Sequence, residues 1–385
     1  MVNRRLLRIK AYQYIYALIQ SKKAEYHVQL DSISLSFLPN LDLMIPKEEQ
    51  MLKLDAERKL AEIHYQEYFS ESKTEADIPL AIKKAATKAI LAYNDNVKKE
   101  RNRIAHQMVE DIENIYHIYI KKLLLILELS RTAVWDQERR LVETDIPSSK
   151  FAKNSVIIAL GNLKSLELEA IRKNVKWDDE DINIVRKLFI EAVLPDKDFL
   201  AYLKLQAPTF EEDLAIVKHI LKNIVLKHFF ITDYFEEKSI NWALNKDVIK
   251  SLCVKTFKIS EVDDLELQDL SLNWEDDKVY FVDLFNNTLN NDVEYEKIIA
   301  QETQNWDAER LAFSDMIILK MAIAEMIHFS SIPTKVSINE YIDLAKNYST
   351  PKSGQFVNGL LDVISNKLIK QNIIRKSGRG LIDKH

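Results

Sequence analysis

The chain has 385 residues, 47% apolar and 29% charged, with a formal net charge of −5; this is the composition of a folded protein, long enough for two or three domains. It contains only five glycines and eight prolines. Dinucleotide turns, phosphate loops and tight hairpins depend on glycine. Neither GxGxxG nor GxxxxGK[ST] occurs, which excludes those chemistries and predicts an all-α fold of long helices joined by short polar loops.

Cys253 is the only cysteine, so there is no internal disulfide and no cysteine zinc site, as expected in a reducing cytoplasm. The longest apolar run, Leu123 to Leu127, is far short of the ~20 residues a membrane helix needs. The basic N-terminus lacks the apolar stretch and cleavage site of a secretory signal. Charge is unevenly spread. Residues 1–24 carry +6 with no acid, residues 369–385 carry +4, and the residues between sum to −15. Two basic ends on an acidic body suggest a polyanion partner at one localised surface.

In chain order, apolar spacing predicts a basic first helix over 4–20, then a helix over 48–70 whose stripe is Leu52, Ala56, Leu60 and Ile63. Residues 80–129 read as one very long helix or two in line. Further helices are expected at 151–172, 179–193, 196–205, 210–232, 239–257, 276–300, 308–329, 335–348 and 354–370. Breaks are expected at Asp31–Pro46, Ser70–Pro79, Asp145–Ser149, Pro195, Pro208 and Glu261–Glu275. Residues 371–385 read as a frayed basic tail.

Few side chains point to catalysis. The eight histidines show no pair at metal-ligand spacing, so structural or surface roles are expected and no metal or cofactor site is assigned. The acid runs Asp178–Asp181 and Glu211–Asp213 precede helical patterns and read as caps. Cys253 lies among Leu252, Val254 and Phe257 and reads as a core residue. The basic stretch at 81–103 reads as a solvated helix face. In the first helix, Arg4, Arg5 and Arg8 fall within about 100° of one another. They oppose the positive end of the helix dipole, an arrangement that a phosphate would relieve.

The C-terminal region carries the most specific signal. Ile332 to Lys346 reads IPTKVSINEYIDLAK and Phe356 to Asp362 reads FVNGLLD. Together these resemble the signature of the NusB transcription antitermination family, roughly VPxKVAINEAIELAKxF followed by KFVNGVLD. The first-helix arginines with Ala11, Gln13, Ile15 and Tyr16 are similar to that family's first helix. Tyr280, Phe281 and Phe285 resemble the start of its second bundle, and Asp315 to Glu325 its central helix. Ser337 and Tyr341 stand where the pattern has alanines, and Gln355 where it has a basic residue. Gly359, inside a helix, is expected to mark close helix approach.

The resemblance implies two small helical bundles of the NusB fold plus an inserted helical lobe. The expected divisions are 1–24 for the basic helix, 25–275 for the insertion, 276–370 for the C-terminal bundle and 371–385 for the tail. It further implies a non-enzymatic, cytoplasmic factor without cofactor. Such a factor binds a boxA-like single-stranded element of ribosomal RNA leaders together with ribosomal protein NusE, and acts on the RNA polymerase antitermination complex. Arg4, Arg5, Arg8, Lys335, Lys352 and Phe356 are the implied RNA-binding residues; Tyr16, Asp315 and Glu325 are the implied partner-binding residues. The alternatives are a helical protein–protein adaptor and an RNA methyltransferase. The absence of a glycine-rich cofactor loop counts against the methyltransferase.

Overall fold

Helices account for most of the described residues of the computed structural model, which covers 1–39, 46–70, 78–139, 147–303 and 312–384. In order they are α1 (Arg4–Leu35), α2 (Lys47–Tyr68), α3 (Leu80–Arg139), α4 (Ser155–Gly161), α5 (Lys164–Arg172), α6 (Ile182–Leu188), α7 (Lys197–Lys204) and α8 (Phe210–Ile220). There follow α9 (Phe229–Lys238), α10 (Trp242–Thr256), α11 (Trp274–Asn290), α12 (Asp292–Glu302), α13 (Phe313–His328), α14 (Thr334–Tyr348) and α15 (Ser353–Lys370). Among the described residues there is no strand, and no helix is long and apolar enough to cross a membrane. Residues 308–311 of the expected 308–329 helix, and parts of three expected breaks (Asp31–Pro46, Ser70–Pro79 and Asp145–Ser149), lie outside the described residues.

Several elements differ from the sequence expectation. The first helix runs to Leu35, so the expected division after residue 24 falls inside a continuous helix. The 80–129 pattern is one helix of 60 residues. The expected 210–232 helix stops where α8 loosens into a π-helical turn at Leu221–Val225, and α9 restarts at Phe229. Thr209 starts α8 with a capping box: its backbone N–H donates to Glu212 Oε2 at 2.8 Å, and the Glu212 N–H donates to Thr209 Oγ1 at 3.3 Å. Asp181 caps nothing. Its Oδ2 accepts from Lys121 Nζ at 2.6 Å and from the Tyr234 hydroxyl at 2.8 Å.

The chain forms two compact units. One comprises residues 1–3 and 109–277, the other 4–108 and 278–385, with α3 contributing to both. In the first, the distal half of α3 buries Ile115, Tyr119, Leu123 and Ile126 completely. There α8 packs on α4 and α7, and α9 on α6 and α10. Lys122 is also fully buried here, its Nζ donating to the Val225 carbonyl at 2.8 Å and lying over the rings of Phe235 and Trp242. Cys253 is a buried core residue, and burial pushes its thiol up to about 12.

In the second unit α13 is the hub. Ile317 through Met326 are all buried, against α1, α12, α14 and α15. The C-terminal half of α2 and the N-terminal part of α3 pack on α1 around Ile33, Ala61, Tyr65, Ile82, Ala86 and Ala89. The expected α2 stripe faces outward instead: Leu52 is 77% exposed, Ile63 50% and Leu60 44%. Ala61 and Tyr65 of the neighbouring face are the buried ones, because two apolar faces were available and packing used the aromatic one. Gly359 is also corrected, since a Cβ there would meet nothing within 4 Å. The tail is docked on the turn before α14. Lys376 Nζ donates to the Phe329 carbonyl at 3.0 Å, and the Ser377 N–H donates to the Ser330 carbonyl at 3.0 Å. A Cβ on Gly380 would lie 2.0 Å from that same Ser330 oxygen, so the close approach there requires glycine.

Candidate nucleic-acid interface

Two of the expected surface residues hold each other inside the second unit. Arg8 is 5% exposed, and it grips Glu325 with two bonds, Nε to Oε2 and Nη2 to Oε1, each at 2.8 Å. The same carboxylate accepts from the hydroxyls of Tyr280 at 2.6 Å, Ser337 at 2.7 Å and Tyr341 at 3.1 Å. Burial alone would raise the Glu325 carboxyl; the Arg8 charge and the hydrogen bonds from Arg8, Tyr280 and Ser337 instead hold it below the usual carboxylate range. Burial, then the Glu325 charge, pushes both tyrosines well above the usual phenol range. Burial also works against the Arg8 cation, but Glu325 outweighs it and keeps the guanidinium more firmly protonated. Arg8 is thus not disposed to hold a phosphate, nor Glu325 to meet a partner. A fully desolvated bidentate ion pair belongs to the framework of the fold.

The other arginines differ. Arg4 is half-buried with its guanidinium 4.7 Å from the centroid of the Tyr280 ring. Arg5 is 52% exposed and lies 3.3 Å from Asp343 of α14. Lys346, one turn on, stands 3.6 Å from the same carboxylate. The Lys346 stem then crosses the start of α15, where a Cβ on Gly354 would come within 2.8 Å of its Cγ. Beside that start are exposed Lys352 and half-buried Phe356. Arg5, Asp343 and Lys346 thus form one charged cluster, and Lys352 and Phe356, four apart, lie at the start of α15. Lys335 is exposed at the other end of α14, about 16 Å along the helix from Lys346. Local sequence chemistry assigns no role to Lys346. The signal that could have found it is Gly354, a glycine retained in a chain that has five.

Asp315 is 3% exposed, with Oδ2 accepting from the Ser353 hydroxyl at 2.8 Å. Ser353 in turn contacts Thr350 Oγ1 at 2.7 Å and Ser349 Oγ at 3.0 Å. These hydroxyls tie α13 to the α14–α15 turn, so Asp315 positions the segment bearing Lys352 and Phe356 from beneath. Tyr16 is 39% exposed and does reach the surface. It lines a cleft of about 470 Å³ with Tyr12, Phe313 and Tyr348. Burial, then Tyr16 and Asp315, pushes the Tyr12 phenol up to about 12, so this ring remains a neutral donor.

Metal chemistry has one candidate among the described residues, the cluster of Asp196, Asp198 and His219. His219 Nε2 lies 3.0 Å from Asp196 and Nδ1 lies 3.1 Å from Asp198, so both ring nitrogens already face carboxylates. Asp196 also caps α7. A hydrogen-bonded helix cap accounts for the geometry without a metal.

Comparison with known proteins bears on the same region. Residues 248–366 match the model of the NusB family, a stretch that begins inside α10 and includes α11 to α14 and most of α15. The chain is similar to the transcription antitermination protein NusB of Salinibacter ruber, 46% identical over 26% of this chain and 62% of the relative. It is 42% identical to that of Chloroherpeton thalassium over 28% of this chain and 50% of the relative. With that of Natranaerobius thermophilus it shares 40% identity over 24% of this chain and 66% of the relative. The chain thus spans between half and two thirds of these relatives' lengths, and no solved structure matched it. The matched stretch contains α13, α14 and the start of α15, which carry the Glu325 network and the basic residues of α14 and α15, so the similarity to the NusB family covers the C-terminal part of this chain.

Proposed function

We propose that this protein is a cytoplasmic, non-enzymatic transcription antitermination factor. It binds boxA-like single-stranded RNA of ribosomal leader transcripts together with ribosomal protein NusE, in the RNA polymerase antitermination complex. The observations that carry this reading are the Arg5–Asp343–Lys346 cluster and, at the start of α15, exposed Lys352 with half-buried Phe356, the last three within the stretch that matches the NusB family. Exposed cations beside a half-exposed ring suit a flexible strand, with phosphates on the cations and a base against the ring. Lys335 extends the basic surface along α14, and Arg4 supports it from the first turn of α1. The Tyr12–Tyr16–Phe313–Tyr348 cleft is the surface for NusE, an aromatic hollow suited to an anchoring side chain.

The test is fluorescence anisotropy of a short boxA-like RNA, with and without NusE. Replacing Arg5, Lys346 and Lys352 by glutamine should weaken binding and flatten the salt slope by about 0.7 for each phosphate no longer neutralised. Tyr16→Ala should act only when NusE is present. Unchanged RNA affinity in the triple variant at fixed salt overturns the RNA site and leaves the protein–protein adaptor.

A further inference from the structure

The proximal part of α3 presents a row of cations that the NusB-like surface does not use. Its buried residues Ile82, Ala86, Ala89, Ile104 and Met108 lie on one side of the helix at about 100° per residue. Lys84, Lys88 and Lys98 are all exposed. On the same projection they fall within about 80° of arc, centred on the opposite side. The packing of Ile82, Ala86 and Ala89 against α1 and α2 therefore fixes the lysines outward. None of the three makes an ion pair among the described residues. Asp95, the acid on this face, is bound to Lys99 at 2.6 Å, and Glu100 to Arg103 at 2.7 Å. The row from Lys84 to Lys98 is about 21 Å long, a straight track on a continuous helix.

We infer that this face of α3 is a second RNA-binding surface, which holds transcript flanking the boxA-like element; the inference rests on the RNA-binding function proposed above. Lys84 and Lys88, four apart on one helix, repel each other, so that pair costs helix stability unless a polyanion covers it. Lysine is depleted in protein–protein interfaces, whereas as a mobile point charge it suits a phosphate chain of no fixed sequence. The α3 row thus adds affinity without adding base specificity, and the boxA-like element sets the register.

The experiment compares the full chain with a Lys84→Gln, Lys88→Gln, Lys98→Gln variant on two fluorescent RNAs. One is the short boxA-like strand; the other carries roughly 16 further nucleotides of oligouridine at each end. All three side chains are exposed, and unchanged far-UV circular dichroism verifies the fold. The expected result is unchanged affinity for the short RNA. For the long RNA, affinity should fall about tenfold at ~0.1 M salt, with the salt slope reduced by about 2. No loss on the long RNA overturns the proposal and turns the face toward an acidic protein. Equal loss on both RNAs also overturns it, since that is a general field effect. Wild-type protein that binds neither RNA overturns the RNA function itself and this inference with it.

Discussion

Arg8 offers the sharpest test, because it was expected at the RNA and the structure places it in the core. Replacing it with methionine keeps most of the volume and removes the charge. Glu325 loses two charge-assisted bonds, each 2.8 Å, and keeps the three hydroxyl donors Tyr280, Ser337 and Tyr341. Charge-assisted bonds contribute about 1.5–3 kcal/mol each, and stranding one member of a buried pair costs about 3–5 kcal/mol. The surviving hydroxyls place Arg8→Met near the low end, at about 3 kcal/mol. The readout is hydrogen exchange of α13 peptides across a urea series, which follows the second unit alone. The pH dependence has a definite sign. The folded Glu325 carboxyl is held below its ordinary value of 4.5, so its stabilisation is present above about that pH and is lost as pH falls toward the folded value. Wild type should therefore lose protection of α13 below about pH 4.5, and Arg8→Met should be flatter there. In a direct RNA titration Arg8→Met should leave the salt slope unchanged, unlike Arg5→Gln. A cost below ~1 kcal/mol, or a slope reduced by about 0.7, would refute the buried-pair reasoning and return Arg8 to the RNA.

Gly359→Ala should stabilise the second unit by about 0.5–1 kcal/mol, since a Cβ there meets nothing within 4 Å and alanine removes the helix penalty of glycine; a lower midpoint in urea would count against it. Gly380→Ala should release the tail from Ser330, 2.0 Å from the added Cβ, read as faster exchange at 376–384 with α13 unchanged. Lys122→Met addresses the first unit. Burial lowers that ammonium from 10.5 to about 7, so the unfolded chain binds the extra proton and wild-type stability should rise from pH 7 toward 9. Above that range the opposite effect of Cys253, pushed up from 9.0 to about 12, begins to offset it. The methionine variant should be flat between pH 7 and 9, and a wild-type curve already flat there would dismiss the buried cation.

What could be read in advance follows from the range of the forces involved. Glycine scarcity and local apolar spacing specify helices, and α7, α10, α14 and α15 fall close to their expected positions. Spacing cannot decide between two apolar faces of one helix, which is why Leu52, Leu60 and Ile63 point outward while Ala61 and Tyr65 pack. Nor can it foresee a π-helical loosening such as Leu221–Val225, or a helix that simply continues, as α1 does past residue 24. In the candidate site, Arg5, singled out by the basic first turn, and Lys352, implied by the family resemblance, are both exposed. Arg8 and Glu325 are 317 positions apart, and only the tertiary fold shows that one side chain answers the other.

The two departures from the NusB signature in α14 acquire a reason in this setting. Alanines at 337 and 341 would offer no donor to Glu325. Here Ser337 gives Oε1 a bond at 2.7 Å and Tyr341 gives Oε2 one at 3.1 Å. With Arg8 and Tyr280 already in place, these hydroxyls give the carboxylate five hydrogen bonds, which leaves none of its roughly four lone-pair sites unmet, the condition under which a buried charge rigidifies a core. Both donors lie on α14, and that helix also carries Asp343 and Lys346. The departures therefore lock α14 to α13 from inside, and the basic residues facing outward from α14 inherit a fixed register against Arg5 and the start of α15. A surface built to hold a flexible strand gains from that rigidity, because the ordering cost on binding then falls on the RNA rather than on the protein.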